Sequence, residues 1–350
     1  MKDAVDVFVI GGGPAGLAAA IAARQRGLTV ALADCSRPPI EKPCGEGVMP
    51  DGIAAARALG LDLTALESFP FRGVRFVHGE TAVEASFPTG VGLGVRRTVL
   101  HRMMVERAAD AGVELRWGAR VSGISERGVV VDGSLVRAEW MVGADGGQSM
   151  VRRWAGLDGS MRDTRRFGFR RHYRVAPWSE YMELHWGDRC QFYITPVSHR
   201  EVCVVLISRD PKLRMEDAFP QFPALAARLG GCEASDYERG AVSATRQLKR
   251  VHHGRVALVG DASGSVDAIT GEGLCLLFQH AAALAGAMER GDLSRYADAH
   301  RRIGKRPRLM ADLMLTMNDH RLLRTAAIGT MAAQPWIFGG MLRMHVGGTL

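Results

Sequence analysis

The first 34 residues alternate between strand-like and helical patterns of apolar positions. Residues 5–10 form a short, continuous apolar run of the kind that a buried parallel strand needs. Residues 17–26 are rich in alanine and are followed by Gly27, which predicts a helix that ends there. Residues 29–33 make a second apolar strand, which finishes at Asp34. Together these pieces form a βαβ unit of about 30 residues, the building block of a parallel α/β sheet.

The rest of the chain adds further strands and helices without an internal repeat. Residues 167–207 carry aromatic and β-branched residues in short runs, which predicts an antiparallel sheet. From Tyr296 onward the pattern is helical and rich in methionine. The other predicted helices lie at residues 51–59, 98–111 and 273–288, and the other strands at 71–87, in hairpins up to 140, and at 255–259. This order predicts a discontinuous α/β domain with a sheet inserted into it.

A glycine-rich turn joins the first strand to the first helix. Gly11, Gly13 and Gly16 fit the spacing G-x-G-x-x-G. The first glycine makes the tight turn, the second lets the backbone approach a pyrophosphate, and the third lets helix and strand pack closely. The helix start, which includes Pro14 and Ala15, then faces the phosphates. The strand before the turn and the helix after it are the context that this dinucleotide-binding motif requires.

Asp34 stands at the end of the second strand, where the motif expects an acidic residue. Its carboxylate can accept hydrogen bonds from both ribose hydroxyls, which also disfavours a 2′-phosphorylated nucleotide at this position. The glycine motif and Asp34 do not distinguish NAD from FAD.

Two later segments resemble those of flavoprotein hydroxylases and their relatives. Residues 143–152 read G-A-D-G-G-Q-S-M-V-R and include Asp145, and residues 260–264 read G-D-A-S-G. The resemblance implies that the cofactor is FAD and that Asp261 contacts the ribityl hydroxyls, since a carboxylate can accept several hydrogen bonds from a polyol. It also implies an α/β fold with a Rossmann-type FAD-binding domain, an inserted antiparallel-sheet substrate domain and a helical C-terminal segment.

Further cofactor contacts follow from the same resemblance. The turn T-G-E-G-L at residues 270–274 opens a helix, so the backbone at Gly271, Gly273 and Leu274 is expected to face the electron-rich pyrimidine edge of the flavin. Arg97 begins an R-x-x-L segment and is expected to pair with the pyrophosphate or to lie near the ribityl chain. Val121 is expected to contribute backbone beside the adenine.

Residues 42–50 read K-P-C-G-E-G-V-M-P and resemble the C-G-E-G segment of geranylgeranyl reductases. Those enzymes saturate isoprenoid double bonds with reduced FAD. The resemblance implies that Cys44, Gly45 and Gly47 lie near the flavin ring. Cys44 is the candidate catalytic residue, either as a proton donor to a substrate carbanion or as a small apolar group that packs there.

The resemblance leaves the reaction open between two kinds of chemistry. A reductase would saturate a C=C bond of an isoprenoid- or polyketide-like substrate. A monooxygenase would use NAD(P)H and O₂ to hydroxylate an aromatic or polyketide substrate, and a non-enzymatic flavin sensor is a third alternative. Trp186, Phe192 and Tyr193 are the candidate substrate residues, together with the methionines of the C-terminal part. The W-x-W-x-I-P signature of flavin halogenases is absent.

Composition limits the partners. The chain has 350 residues and a formal net charge of +8, but its basic residues are scattered, which argues against a nucleic-acid partner and leaves open peripheral contact with a membrane.

Six cysteines form no C-x-x-C pair, so we expect no metal site and a cytoplasmic location. Because the first strand is predicted to begin at Val5, we expect no targeting segment. Residues 325–342 are apolar but are interrupted by Gln334 and Pro335, whereas a spanning helix needs about 20 apolar residues.

The element order predicts three parts. Residues 1–72, 96–160 and 245–300 form the FAD-binding domain, residues 73–95 and 161–244 the substrate-binding sheet, and residues 301–350 a helical C-terminal segment. No second G-x-G-x-x-G is present, so NAD(P)H would dock transiently or another electron donor would reduce the flavin. The oligomeric state stays open.

Overall fold

The computed structural model describes residues 4–346. Residues 1–3 and 347–350, which the predicted first and last parts include, lie outside the described residues. The strands in chain order are β1 (Ala4–Ile10), β2 (Val30–Asp34), β3 (Gly47–Val48), β4 (Ser68–Phe71), β5 (Gly73–His78), β6 (Thr81–Ser86), β7 (Gly92–Val95), β8 (Glu114–Trp117), β9 (Val121–Ser125), β10 (Gly128–Val131), β11 (Ser134–Gly143), β12 (Ser160–Tyr173), β13 (Tyr181–Trp186), β14 (Cys190–Ser198), β15 (Glu201–Ser208), β16 (Arg239–Leu248), β17 (His252–His253) and β18 (Val256–Leu258).

The helices surround these strands and dominate the C-terminal part. In chain order they are α1 (Pro14–Gln25), α2 (Pro50–Ala58), α3 (Arg97–Asp110), α4 (Met150–Trp154), α5 (Met215–Ala218), α6 (Pro223–Leu229), α7 (Gly273–Glu289), α8 (Leu293–Ile303), α9 (Lys305–Asp319), α10 (Arg321–Ala333) and α11 (Pro335–Val346). Helix α1 begins three residues earlier than the alanine-rich run suggested, because Pro14 occupies the first helical position, where its missing N–H costs nothing.

An eight-stranded sheet carries the predicted βαβ unit. Its main order is β17-β18-β11-β1-β2-β8, and the hairpin β9–β10 extends from β11. Strand β1 runs parallel to β2 on one side and to β11 on the other. Both faces of β1 and β2 are covered, which is why their sequences are continuous apolar runs rather than alternating ones. The α/β class predicted from the first 34 residues is therefore confirmed.

The second large sheet has seven strands in the order β16-β12-β15-β14-β13-β5-β6. Its strands pair antiparallel, with one difference from the prediction: β5 runs parallel to β13. The cause is connectivity, since the hairpin β5–β6 comes from an earlier part of the chain and is not joined to β13 by a turn. Strand β7 does not join this sheet; it pairs with β3 and β4 in a separate three-stranded sheet.

The C-terminal helices complete the main core. Ile328 and Met331 of α10 and Phe338 and Leu342 of α11 are buried in the same apolar cluster as strands of both large sheets. The apolar stretch at residues 325–342 is divided between these two helices, which break at Gln334. Within residues 4–346, no helix has both the length and the apolar composition needed to cross a bilayer.

Candidate functional site

A long cleft of about 1730 Å³ opens where β1, β2 and β11 end and runs between the two large sheets. Parallel α/β sheets bind ligands at this edge. Most of the residues singled out in the sequence line this cleft: Gly11, Gly13, Pro14, Ala15, Asp34, Cys44, Gly45, Gly47, Arg97, Val121, Asp145, Tyr193, Asp261, Gly271, Gly273 and Leu274. Residues that are far apart in the chain thus converge on one elongated space.

The glycine turn after β1 needs glycine for two different steric reasons. Gly11 has φ +113°, and a Cβ there would overlap the backbone of Ala144. Gly16 does not line the cleft; a Cβ on it would overlap the carbonyl of Gly11, so this glycine brings α1 against β1. A Cβ on Gly13, in contrast, would meet no atom within 4 Å. The turn therefore leaves open space beside the start of α1, where an anion would be stabilised.

The Asp34 carboxylate is held at the end of β2 by backbone donors. The N–H of Gly12 donates to Oδ2 at 2.6 Å and the N–H of Ser36 donates to Oδ1 at 2.7 Å. His101 of α3 braces the same turn from behind, with Nε2 at 2.9 Å from the carbonyl oxygen of Gly12. Burial lowers the pKa of His101, so its ring is neutral at pH 7 and donates this bond. The fixed carboxylate keeps free lone pairs for hydroxyl donors in the cleft.

Arg97 is a buried cation that faces the cleft without an acidic partner. Arg97 is 9% exposed, and its Nε makes no hydrogen bond within residues 4–346. No carboxylate in that part of the chain lies within salt-bridge distance of its guanidinium. A buried charge without a partner is costly, so the site suits a bound anion such as a phosphate group.

The other two predicted aspartates already have partners. Oδ2 of Asp145 accepts hydrogen bonds from the N–H groups of Met150 and Val151 at 2.7 and 3.1 Å, which anchors the start of α4, while Oδ1 is buried and unpartnered among residues 4–346. Oδ2 of Asp261 accepts a hydrogen bond from Lys42 Nζ at 2.7 Å. The Asp261 side chain is half-exposed, so its carboxylate has room for a further donor from the cleft.

The turn before α7 presents free backbone to the cleft. Gly271 has φ +69°, a left-handed conformation that favours glycine, and Gly273 is the first residue of the 17-residue α7. The first N–H groups of a helix have no partner within it, and they carry partial positive charge. This end of the cleft therefore suits an electron-rich group.

The three candidate substrate residues have different surroundings. Tyr193 of β14 lines the cleft, and its hydroxyl donates to the carbonyl of Ile269. Phe192 does not line it: successive side chains of a strand point to opposite faces, and Phe192 stacks on Phe219 on the far side of the sheet. Trp186 also lies away from the cleft, because it is buried edge-on against Phe76. For Phe192 and Trp186, a wall position is therefore wrong.

A small apolar cavity of about 30 Å³ adjoins the cleft, which we call the methionine pocket. It shares Met182, Tyr193 and Thr270 with the cleft. It is lined by Met49, Val74, Phe76, Met182, Leu184, Tyr193, Ile269, Thr270, Met310, Met314, Phe338, Met341, Leu342 and His345. Met310 and Met314 lie where the sequence suggested a cavity wall, whereas Met317 and Met331 are core residues that do not line this pocket.

Residues 41–46 form the loop that carries Cys44, which we call the Cys44 loop. A buried ion network beneath this loop was not predicted from the sequence. Glu46 is 1% exposed, and its Oε1 accepts a hydrogen bond from the N–H of Arg97 at 2.9 Å. Its Oε2 lies 2.6 Å from Nε2 of His172, and Arg170 lies 3.2 Å from Oε1. Asp236 completes the network, 2.8 Å from Nδ1 of His172. Glu46 stands in the C-G-E-G segment, but its charged partners Arg170 and His172 are more than 100 residues away, and no spacing signals them.

The network holds His172 as an imidazolium. Burial alone would lower the pKa of His172, but its hydrogen bonds to Asp236 and Glu46 outweigh burial and raise it. Burial likewise opposes ionisation of the two carboxyls, yet the pKa of Glu46 is lowered and that of Asp236 falls to about 2, mainly through His172. Each partner thus stabilises the charge of the others.

The same network fixes the Cys44 loop. Glu46 adopts φ +60°, a left-handed conformation that costs a non-glycine residue about 1–3 kcal/mol and persists only where its surroundings hold it. The N–H of Glu46 lies 3.4 Å from Sγ of Cys44, and Sγ of Cys203 lies 3.6 Å from the Cys44 carbonyl oxygen. The buried carboxylate therefore determines where the Cys44 thiol meets the cleft.

Glu46, His172 and Cys203 also place one metal-binding atom each within 4.8 Å of one another. Both ring nitrogens of His172 already face carboxylates, and a guanidinium neutralises Glu46. The charges of this cluster are therefore balanced by its own residues, which explains it as an ion-pair network.

The first prediction concerns the pH dependence of this network. Because the folded-state pKa of His172 lies above its ordinary value of 6.5, the stabilisation is complete below that value and is lost as the pH rises through the folded-state pKa. Removing one partner of a buried pair costs about 3–5 kcal/mol. The Tm difference between the wild type and His172→Gln should therefore be largest near about pH 6 and shrink toward about pH 9.

Thermal unfolding across that pH range measures the difference. His253→Gln, at an exposed histidine of β17, serves as the control and should show a small, flat difference. A His172→Gln deficit that stays constant or grows with pH would contradict an imidazolium at this position.

The second prediction concerns Asp34 and the dinucleotide. Asp34→Ala should retain less FAD through gel filtration, because hydrogen bonds to a charged acceptor are worth about 1.5–3 kcal/mol. The ratio of flavin to protein absorbance measures retention. Asp110→Ala, at the exposed end of α3, is the matched control. An Asp34→Ala protein that purifies as yellow as the control would show that this carboxylate does not hold the ribose.

Comparison with known proteins agrees with this geometry. Residues 4–290 match the family described as FAD binding domain. A digeranylgeranylglycerophospholipid reductase from Methanosarcina mazei is 30% identical over 327 residues, covering 84% of this chain and 78% of the relative. A menaquinone reductase from Mycobacterium tuberculosis is 28% identical over 330 residues, covering 84% and 79%.

The fold is also found in solved structures. A flavin-dependent brominase, Bmp2, superposes with a TM-score of 0.83 at 19% identity, covering 98% of this chain and 94% of the brominase. At that identity the likeness concerns the fold alone. The glycine turn, the unpaired Arg97 and the family match over most of the chain lead to one conclusion: this protein is an FAD-dependent oxidoreductase that belongs to the FAD-binding-domain family.

Proposed function

We propose that this protein saturates a carbon–carbon double bond of a hydrophobic, isoprenoid-like molecule with reduced FAD. The observation that carries the proposal is the end of the cleft: the Cys44 loop and the T-G-E-G turn both line it, and the apolar methionine pocket opens beside them. The relatives named as reductases of a geranylgeranyl lipid and of menaquinone support a prenylated substrate.

The cleft suggests how FAD is held. We assign the pyrophosphate to the glycine turn and Arg97, the adenosine ribose to Asp34, and the adenine to the backbone at Val121. The ribityl chain then belongs near Asp261, and the flavin ring near Gly271, Gly273 and the Cys44 loop. We also keep the division into an FAD-binding domain, an inserted substrate sheet and a C-terminal helical segment. When bound and reduced, FAD supplies the electron pair for the reaction.

The methionine pocket fits the flexible end of a prenyl chain. Five of its lining residues are methionines, namely Met49, Met182, Met310, Met314 and Met341. Methionine side chains are unbranched and polarizable, so they can rearrange around an apolar guest at low cost. The cavity of about 30 Å³ holds little more than one water molecule, so binding requires these side chains to move apart. Apolar lining also excludes water from the reacting bond.

Cys44 is the proposed catalytic residue at this end. Its thiol is partly buried, faces the cleft and accepts a hydrogen bond from the N–H of Glu46, while the Cys203 thiol donates to the backbone carbonyl of Cys44. A thiol in this position can give its proton to the carbon that becomes electron-rich as the double bond is reduced. The buried network under Glu46 keeps that thiol in one place, which proton transfer requires.

The third prediction tests the reaction. The purified protein is reduced with NADPH, NADH or dithionite under nitrogen and mixed with a geranylgeranyl lipid or menaquinone. We expect one pair of electrons to be consumed for each double bond saturated, which mass spectrometry of the product measures. Cys44→Ser should retain FAD but turn over more slowly, since a hydroxyl is a much weaker acid than a thiol.

Two outcomes would overturn this proposal. Product formation that requires oxygen, together with a long-lived flavin hydroperoxide spectrum after air is admitted, would assign the protein to the monooxygenases. No turnover of either lipid by a protein that is readily reduced would exclude these substrates. Unchanged turnover by Cys44→Ser would show that Cys44 is not the proton donor and only packs against its neighbours.

A lipid substrate also needs a route from its bilayer, and we propose that the hairpin of α10 and α11 contacts a membrane surface. Leu322 is 87% exposed and Trp336 is 70% exposed, although large apolar side chains usually avoid water. Residues 301–350 hold eight lysines and arginines against two aspartates, most of the net charge of +8. Tryptophan at the interface and basic residues beside it are typical of helices that lie on anionic membranes.

The fourth prediction measures this contact. The protein should sediment with vesicles that contain anionic phosphatidylglycerol but not with phosphatidylcholine vesicles, and added salt should weaken binding. The double variant Leu322→Glu and Trp336→Glu should lose binding. Tyr237→Glu, at an exposed aromatic residue outside the hairpin, should bind normally. Absence of binding to anionic vesicles, or equal loss in the Tyr237→Glu control, would rule out docking through this hairpin.

A further inference from the structure

The turn that opens α7 contains a buried carboxyl group for which the nucleotide site has no use. Glu272 directly precedes α7, is 3% exposed and lines the cleft between Gly271 and Gly273. Its Oε2 has no hydrogen-bond partner within residues 4–346. An unsatisfied buried polar atom costs about 1–3 kcal/mol of folding free energy. A buried carboxyl that destabilises the fold in this way is a candidate for a functional role.

The last described helix brings a histidine to this carboxyl. His345 of α11 is largely buried, and its Nε2 lies 3.5 Å from Oε1 of Glu272. Its Nδ1 makes no hydrogen bond of normal geometry within the described chain, although the backbone of Thr270 is close. His345 lines the methionine pocket, whereas Glu272 lines the cleft. The pair therefore connects the two spaces at the place where they meet.

The surroundings of both members of the pair disfavour their charged forms. Burial and the nearby charge of Asp51 raise the pKa of Glu272 well above its ordinary value. Burial lowers the pKa of His345 to about 4, although the Thr270 backbone opposes this. The other titratable groups around Glu272 do not supply a cation: burial raises the pKa of Asp51 and also that of the Cys275 thiol. These surroundings favour the protonated carboxyl of Glu272 opposite a neutral imidazole of His345.

We propose that Glu272 and His345 form a proton-donor pair for the methionine pocket, in which His345 delivers a proton to the apolar substrate and Glu272 replaces it. This inference rests on the proposed double-bond reduction and assigns its acid to a helix that the cofactor motifs do not include, in competition with Cys44 for the same proton. If His345 is the donor, His345→Gln slows saturation and Cys44→Ser does not. The pair works because a neutral imidazole can accept a proton at one nitrogen while it donates from the other.

The step balances in protons and electrons. Reduced FAD, when bound in the cleft, would supply a hydride for one carbon of the double bond. The Nδ1–H bond of His345 breaks as a C–H bond forms at the other carbon, and the O–H of Glu272 breaks as Nε2 gains its proton. Glu272 is left as a carboxylate, which takes a proton from solvent through the cleft. His345 ends neutral with its proton on Nε2, and a ring rotation or proton exchange restores the starting tautomer.

The fifth prediction tests the protonation of Glu272 by a measurement that does not require turnover. The infrared difference spectrum between the protein in H₂O and in D₂O should contain the C=O band of a buried carboxylic acid at neutral pH. Glu272→Gln, which keeps the shape of the side chain, should remove this band. Glu289→Gln, at the half-exposed far end of the same helix, should keep it. A band unaffected by Glu272→Gln, or no such band in the wild type, would overturn the proposal.

A kinetic measurement complements the spectrum. His345→Gln should retain FAD and accept electrons at the normal rate, but its saturation rate should fall by about a hundredfold to ten-thousandfold, the usual contribution of a general acid. His253→Gln, at an exposed histidine, should react normally. If the infrared band belongs to Glu272 but wild-type protein saturates no double bond, the proposed function fails while the buried acid stands. If the lipid is saturated equally by His345→Gln, the acid assignment fails while the function stands.

Discussion

The geometry of the cleft depends on one buried carboxylate. Glu46 accepts hydrogen bonds from the start of α3 and from two side chains of β12, so it ties the nucleotide-binding sheet to the inserted sheet at the loop that carries Cys44. Burying a carboxylate is expensive unless positive charge accompanies it, and Arg170 and His172 supply that charge. This arrangement strains the backbone of Glu46, and in return it makes the loop between the two sheets rigid.

Local patterns predicted much of the fold and the cofactor part of the cleft. The apolar run of β1, the glycine turn and the alanine-rich helix span fewer than 35 residues, and such local patterns can be recognised without knowing which distant segments pack against them. Gly16 could be assigned its role because a Cβ there would overlap the nearby carbonyl of Gly11, whereas the atoms that exclude a Cβ at Gly11 belong to Ala144, far away in the chain. The placement of Asp34 followed from the strand that ends with it.

Contacts between distant segments could not be predicted in this way. His172 lies 126 residues from Glu46, and His345 lies 73 residues from Glu272, so no periodicity connects them. The error at Phe192 has a related cause. Phe192 and Tyr193 are adjacent apolar residues of one strand, and only the partner sheet and helices decide which of the two faces the cleft. The helices α5 and α6, which cover Phe192, gave little signal in the sequence because they are so short.

The chemistry of this enzyme is decided where the fold is least constrained by the cofactor. A brominase shares nearly the whole backbone arrangement, so that arrangement alone is compatible with very different reactions. What distinguishes one reaction from another is the set of groups that close the end of the cleft. Here that end is closed by a thiol loop, by five methionines and by a C-terminal helix that inserts one histidine among apolar side chains. The polar side chains that line the methionine pocket are those of Tyr193, Thr270 and His345, and the rest of its lining is apolar, which excludes water and suits a hydrophobic guest better than a hydrophilic one.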